Sequence, residues 1–493
     1  MHNNINILDK VKGYFSPHAA FETAKLRNAT ALISTDLYDA SKNSPHYKIS
    51  ITGTTEEDDI YDLETLRNTS RDKYKNNGFY KGIIQVATDH TISSGLRAKS
   101  TINRRLIPNL SEEAAKNYEA IFDDYFNSWA ESNICDVTAK DNFYSLQRLA
   151  YKVFKKDGDS FTSLPLTKVG GSKVIQVDLI GAENIASNDR AFVEGIKLSK
   201  NKMPLQYSIK QQDNTYKIVR AFSGGKRNVL HIFERERTKI ARGIPFLTPV
   251  MRDIDAIDQY MKYEMTAAKL AAIFFGSITT EAKENVFGND VDLLNGDGVK
   301  ETPKNTITEN SITQLAPGDK LDIAQKGRDN PNFDKFVLTS LQKVAATTRI
   351  PTEITLAHFT SSYSASRAAM LQMQKFVEPE RMLFNNSFNK PIREQVIIWG
   401  VLQGDIPAPA DFFENKAAYL KCMWLGSPIG SVDPLRDANA KIRMIDNHLL
   451  TRDKATSDLG NGDFEVNVDI LQKENELIEK LIPKEGELWQ LLK

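Results

Sequence analysis

The chain has 493 residues, with 41% apolar and 26% charged residues. That is more than one ordinary hydrophobic core can serve, so two to four structural units are expected, and the composition is globular rather than disordered. Lysine plus arginine and aspartate plus glutamate both number 64, which argues against a surface that is basic throughout and grips nucleic acid everywhere. Two cysteines, Cys135 and Cys422, exclude a disulfide framework and a paired-cysteine metal motif. The first residues lack a basic segment followed by an apolar run, so no secretory signal is expected. The stretch 265–278 is too short and too charged to span a bilayer.

Residues 1–60 read as an irregular polar arm that closes on the acidic run Glu56, Glu57, Asp58, Asp59. A helix is predicted from about Leu63 to Ile92, interrupted at 76–78 by Asn-Asn-Gly. Tyr118, Ile121, Phe122 and Tyr125 share a helical face over 111–130, with Ser111 placed as N-cap before two glutamates. Phe143, Leu146, Ala150 and Val153 predict another helix over 141–156. From 158 to 240, short alternating runs between Gly, Asn and Ser predict antiparallel strands. Pro249 suits the first turn of a long helix running to about Gly276, roughly 40 Å at ~1.5 Å per residue.

Polar, Gly-rich residues 278–330 read as short strands and turns, and 332–349 as a second helix that Arg-Ile-Pro ends. "AHFTSSYSASRAAM" (357–370) begins as a loop of hydroxyls and aromatics, and a helix is predicted from about Ser364 to beyond Pro379. Ser364 is the natural N-cap for that helix. Two further helices are predicted near 434–448 and 467–482.

Chemical motifs are few. "SGGKRN" (223–228) lacks the first glycine and the final Ser/Thr of a phosphate-binding loop and reads as a turn between strands. "NDVDLLNGDG" (289–298) matches a calcium loop only in part and has no flanking helices. His231 and Glu234 are three apart, which on a strand points them to opposite faces. Cys135 and Cys422 read as packed thiols. No catalytic activity, metal or cofactor is expected.

Five stretches, in order, carry a resemblance: 66–100, "DGDSFTSLPL" (157–166), "VLHIFERERTKIARGIPFLTPVM" (229–251), "SSYSASRAAMLQ" (361–372) and "WLGSPIGSVDPLRDANAKI" (424–442). With them the chain resembles the lambda-like family of tailed-bacteriophage portal proteins across roughly 60–480. The resemblance implies an α+β, mainly helical portal fold: a wing with short antiparallel strands, a two-helix stem, a small clip insert and a helical crown. Carried onto this chain, 1–60 is an N-terminal arm, 61–248 the first part of the wing, and 249–277 the first stem helix. The clip is 278–330, the second stem helix 331–350, the tunnel loop 351–365, the wing return 366–435, and the crown-like helices 436–493.

The resemblance further implies a homo-oligomeric ring, usually of twelve subunits, at one capsid vertex. Its partners would be the terminase large subunit, head-completion and tail adaptor proteins, the major capsid protein and scaffold, and double-stranded DNA passing through the channel, with no membrane. Its place would be the virion, after assembly in the host cytoplasm. The channel-lining candidates are His358, Phe359, Thr360, Ser361, Ser362, Tyr363 and Ser364. Lysine or arginine there would neutralise phosphates and hold the duplex, whereas hydroxyls offer weak, exchangeable hydrogen bonds. Two other classes stay in view: a head scaffold or adaptor without a channel, which would form no ring with a central hole, and a DNA-packaging nuclease or motor, which would turn over with magnesium.

Overall fold

The computed structural model describes residues 63–236, 238, 240–272, 276–280, 319–323, 332–359, 362–427, 433–459, 462 and 464–481. The predicted interruption at 76–78 separates α1 (Leu63–Asn76) from α2 (Gly78–Thr91). Asn77 is extended and its side chain accepts the Tyr80 N–H, so it caps the second helix while Tyr80, Ile83, Ile84 and Ala87 turn inward. Strand β1 (Arg97–Ser100) follows, then α3 (Glu112–Glu131), where Ser111 accepts the Ala114 N–H as the sequence predicts. Asn142 caps α4 (Phe143–Asp157) in the same way.

Residues 159–233 form the strands β2 (Asp159–Ser163), β3 (Leu166–Val169), β4 (Ser172–Ile175), β5 (Asp178–Ile180), β6 (Ile196–Leu198), β7 (Pro204–Lys210), β8 (Tyr216–Arg220), β9 (Phe222–Ser223), β10 (Lys226–Arg227) and β11 (Val229–Phe233). All the pairings are antiparallel: β11-β2-β5, β6-β7-β8 and the hairpins β3-β4 and β9-β10. "SGGKRN" is the β9-β10 turn.

A 3-10 turn containing Pro249 leads into α5 (Met251–Ala272), shorter than predicted. Strands β12 (Gly276–Thr280) and β13 (Asp319–Ile323) pair antiparallel, Gly276 opposite Ile323. The partial calcium pattern at 289–298 lies outside the described residues. The return helix is α6 (Phe333–Thr348). Ile254, Ile257, Leu341 and Val344 bury the near end of this pair. Farther out, Tyr260 meets Phe336 at 4.8 Å, but Phe336 stays 46% and Met265 57% exposed.

After a single turn, α7 (Thr352–Thr355), comes α8 (Tyr363–Phe384), which contains Pro379. It continues without a break through a π-helical turn at Asn385–Asn389 into α9 (Lys390–Gln403). Pro379 has no N–H to donate to the preceding turn, and a π turn shifts the register by one residue, so this run is locally re-aimed twice. The chain closes with α10 (Lys416–Tyr419), β14 (Cys422–Leu425), α11 (Pro434–Asp446), α12 (Arg452–Leu459) and α13 (Phe464–Leu481). Strand β14 pairs with β1, Ser100 opposite Cys422, which fastens the late chain to the early chain.

The largest core joins α2, α3, α4, α8 and α9 through Ile84, Phe126, Phe143, Phe384 and Ile392, and Phe143 stacks on Phe388 of the π turn at 5.8 Å. Cys135 is buried in it, and burial pushes its thiol up to about 12. A second core gathers Phe122, Ile397, Phe412 and Tyr419. A third, of Phe161, Ile196, Tyr207 and Ile209, belongs to the strand region.

Candidate functional site

The segment between α6 and α8 begins where Arg349 takes a left-handed conformation (φ 63°) and ends α6. Ile350 and Ile354 are buried and hold the segment's first half against the body. From there it faces outward. The His358 N–H donates to the Glu353 carbonyl at 3.0 Å, leaving the imidazole exposed, and Phe359 is 50% exposed. Thr360 and Ser361 lie outside the described residues.

Ser362 occupies the N-cap position of α8, where its carbonyl accepts the Ser366 N–H at 3.0 Å but its side chain caps nothing. This corrects the expectation that Ser364 is the cap. The chain becomes helical at Tyr363, so Ser364 stands exposed within the first turn. Tyr363 is exposed beside Arg367, 3.5 Å away, and Arg367 pairs with Asp437 of α11 at 3.1 Å. The described part of 354–366 therefore offers hydroxyl, imidazole and aromatic surface and no carboxylate, lysine or arginine. Such a surface can brush against a polyanion, but it has no group to neutralise one.

A buried polar joint lies at the start of the strand region. Asp159, fully buried at the start of β2, accepts from Arg67 Nη2 at 3.0 and 3.1 Å and from Arg242 Nε at 2.6 Å. Arg242 is also buried and donates to the carbonyls of Ala182, Ile185 and Glu194. Burial alone would raise the Asp159 carboxyl, but the guanidinium groups of Arg242 and Arg67 outweigh it and hold the carboxyl far below the usual range. His231 lies between Phe161 and Phe233, at 4.1 and 4.2 Å, with Nε2 3.5 Å from Asp159. Burial depresses its pKa, and the facing carboxylate only partly opposes that.

The backbones meet at the same place: a Cβ on Gly243 would come within 2.0 Å of the Gly158 carbonyl oxygen. The stretches "DGDS" and "ARGIP" are thus two halves of one joint, and through it the start of α5 is tied to β2. Helix α8 is tied down by Glu380, which takes Lys155 Nζ at 2.7 Å and the Tyr151 hydroxyl at 2.9 Å in the core. Beside it, Arg381 donates to the carbonyls of His90, Thr91 and Ser427.

Of the other sequence candidates, Lys343 pairs with Asp253 at 2.8 Å, and Arg349 lies over the Phe376 ring at 5.8 Å. Sequence reasoning valued Arg242 as part of a motif but gave it no partner. Its signal was present: each of the two stretches puts a charged residue directly beside a glycine.

A helical hairpin standing on such a joint, with a neutral outward segment at its return, is the setting in which the family likeness acquires meaning. The chain belongs to the lambda family of phage portal proteins: the family model described as "Phage portal protein, lambda family" matches residues 48–381. It is 21% identical to portal protein B of Escherichia phage lambda over 426 residues, 79% of each chain. It is 22% identical to the portal protein of Escherichia phage N15 over 448 residues, 81% of this chain and 83% of the relative. Among solved structures, a chain from the virion of a native gene transfer agent particle matches 81% of this chain and 93% of its own length, at 10% identity and a TM-score of 0.46. The resemblance carried by the five stretches is borne out. Among the described residues, no helix is long and apolar enough to cross a membrane.

Proposed function

We propose that copies of this portal protein close into a ring, of about twelve subunits as in the family pattern, at one capsid vertex, and that the ring is the passage for the genome. The observation that carries the reading is the family match over residues 48–381. Two features of the chain support it. Apolar residues at the far end of α5 and α6, Met265 and Phe336 among them, stand exposed and have no buried neighbour there among the described residues. Helix α13 carries two exposed apolar seams, one through Val468, Leu471 and Ile478 and one through Val466, Ile470 and Leu477. At 3.6 residues per turn these seams lie about 130° apart. One seam serves a pair, whereas two serve a helix with a neighbour on each side.

In this reading α5 and α6 are the stem, β12 and β13 open the clip, α1 to α4 with the strands and α8 to β14 build the wing, and α11 to α13 form the crown. His358, Phe359, Ser362, Tyr363 and Ser364, with Thr360 and Ser361, line the passage. Terminase, adaptor, capsid and scaffold proteins are the partners. The protein itself catalyses nothing. It serves in the virion after assembly in the host cytoplasm.

Negative-stain imaging of the purified protein is expected to give rings with a central hole. A monomer under every assembly condition would overturn the ring, and magnesium-dependent nuclease or ATPase turnover would favour the motor class. Replacing Ser361 and Ser362 with lysine is expected to leave rings intact and slow packaging at low salt, because a ring of ammonium groups retains phosphates. Packaging at the unmodified rate would remove these residues from the passage wall.

A further inference from the structure

A cleft of about 970 Å³ opens between the strand region and α8. Its lining includes the apolar Phe222, Phe233 and Leu383 and three arginines, Arg227, Arg235 and Arg349. Each guanidinium lies over an aromatic ring, Arg227 over Phe222 at 5.9 Å, Arg235 over Phe233 at 5.8 Å and Arg349 over Phe376 at 5.8 Å. None of the three is within ion-pair distance of a carboxylate among the described residues. Of the acids on the wall, Glu380 is taken by Lys155 and Tyr151, and Glu234 lies 3.8 Å from the same lysine. A guanidinium held near a ring and without an ion-pair partner still has N–H donors for a carboxylate, so this cleft suits an acidic segment with an apolar flank.

The sequence holds such a segment close by. Residues 56–61 read Glu-Glu-Asp-Asp-Ile-Tyr and stand just before Leu63, where α1 begins. One turn into that helix, Arg67 grips Asp159, which lies 3.5 Å from His231, and His231 lines the cleft. Glu56 is seven residues and Asp59 four residues upstream of Leu63, so at ~3.3 Å per residue the acids reach roughly 13–23 Å from it. We propose that Glu56, Glu57, Asp58 and Asp59 dock in this cleft of their own chain, carboxylates on the three arginines and Ile60 on the apolar lining. This docking does not depend on the ring reading.

The test is limited proteolysis of the full-length protein with an endoprotease that cuts after glutamate, followed by intact mass. Glu56 and Glu57 are expected to be protected. Cleavage there should accelerate about tenfold in Arg227→Glu/Arg235→Glu/Arg349→Glu, and also in the unmodified protein when sodium chloride rises from about 0.05 M to about 1 M. The salt arm decides the matter even where the triple variant fails to fold. Changing all four acids to lysine should expose the arm to a lysine-specific protease, and combining that change with the triple reversal should restore protection. Cleavage at Glu56 and Glu57 that is fast in the unmodified protein, or indifferent to salt, overturns the proposal. Protection that vanishes on dilution to monomers overturns it in favour of a neighbouring copy's arm.

Discussion

The body around α4 and the trio α11, α12 and α13 are both helical and spend their apolar residues in opposite ways. In the body, Phe126, Phe143 and Phe388 are fully buried within one subunit. In the trio, α11 buries nothing, α12 buries Ala455, and Leu435 of α11 and Leu449 in the loop after it each stand 74% exposed. A helix draws most of its stability from the face it packs. The body therefore completes its packing inside one chain, while the trio keeps its apolar faces for whatever surrounds it. In the proposed ring, folding and assembly therefore fall to different stretches of the same polypeptide.

The strongest way to break that contrast is to attack the body's joint. Arg242→Ala strips Asp159 of a buried partner and is expected to cost about 3–5 kcal/mol in chemical denaturation. A loss below about 1 kcal/mol would mean that the joint does not hold the body together. Phe388→Ala should cost a similar ~3–5 kcal/mol by opening a cavity in the main core. Leu471→Asp on α13 should leave subunit unfolding within about 0.5 kcal/mol yet weaken ring formation, as read by sedimentation. If that variant unfolds the subunit instead, the division of labour fails.

Acid sharpens the comparison further. The folded pKa of His231 is depressed from its ordinary 6.5, so the unfolded chain takes up the proton first. Its contribution is complete above about pH 6.5 and is lost as pH falls toward the folded value. His90 is depressed in the same sense. The Asp159 carboxyl is depressed too, so its contribution is intact above its ordinary 3.8 and is lost only below that. His231→Gln should therefore shrink the loss of stability between pH 7 and pH 5, on the order of the titration range of an ordinary histidine, and leave the steeper loss below pH 4 in place. An unchanged profile in thermal scans would exclude His231 as the sensor. The smallest effects are at the helix caps. Ser111→Ala should cost about 1 kcal/mol, and Ser362→Ala, whose side chain caps nothing, less than about 0.5 kcal/mol.

The helices were legible where periodicity and caps agree. Ser111 followed by glutamates, and the apolar face from Phe143 to Val153, mark α3 and α4 to within two residues. Helix α12 escaped because Arg-Asp-Lys-Ala-Thr-Ser-Asp-Leu has no apolar period to read. The pairing of β1 with β14 escaped because register across more than 300 residues leaves no local trace. In the segment after α6, the hydroxyls were legible as a neutral surface, but the start of α8 fell one residue early. Ser-Ser-Tyr-Ser offers three serines that could each cap, and only the backbone decides among them. The arginine cleft was invisible, since Arg227, Arg235 and Arg349 converge only in three dimensions.

The close contact of Gly158 with Gly243 sits at the root of a long rod. Helix α5 has 22 residues, about 33 Å at ~1.5 Å per residue, rising from a foot about 10 Å across. By that leverage a wedge of about 1 Å under the foot carries the tip about 3 Å sideways. Placing a methyl group at Gly243 would insert such a wedge. In the proposed ring it would tilt every rod at once, so a single carbon atom at this joint would reset the bore.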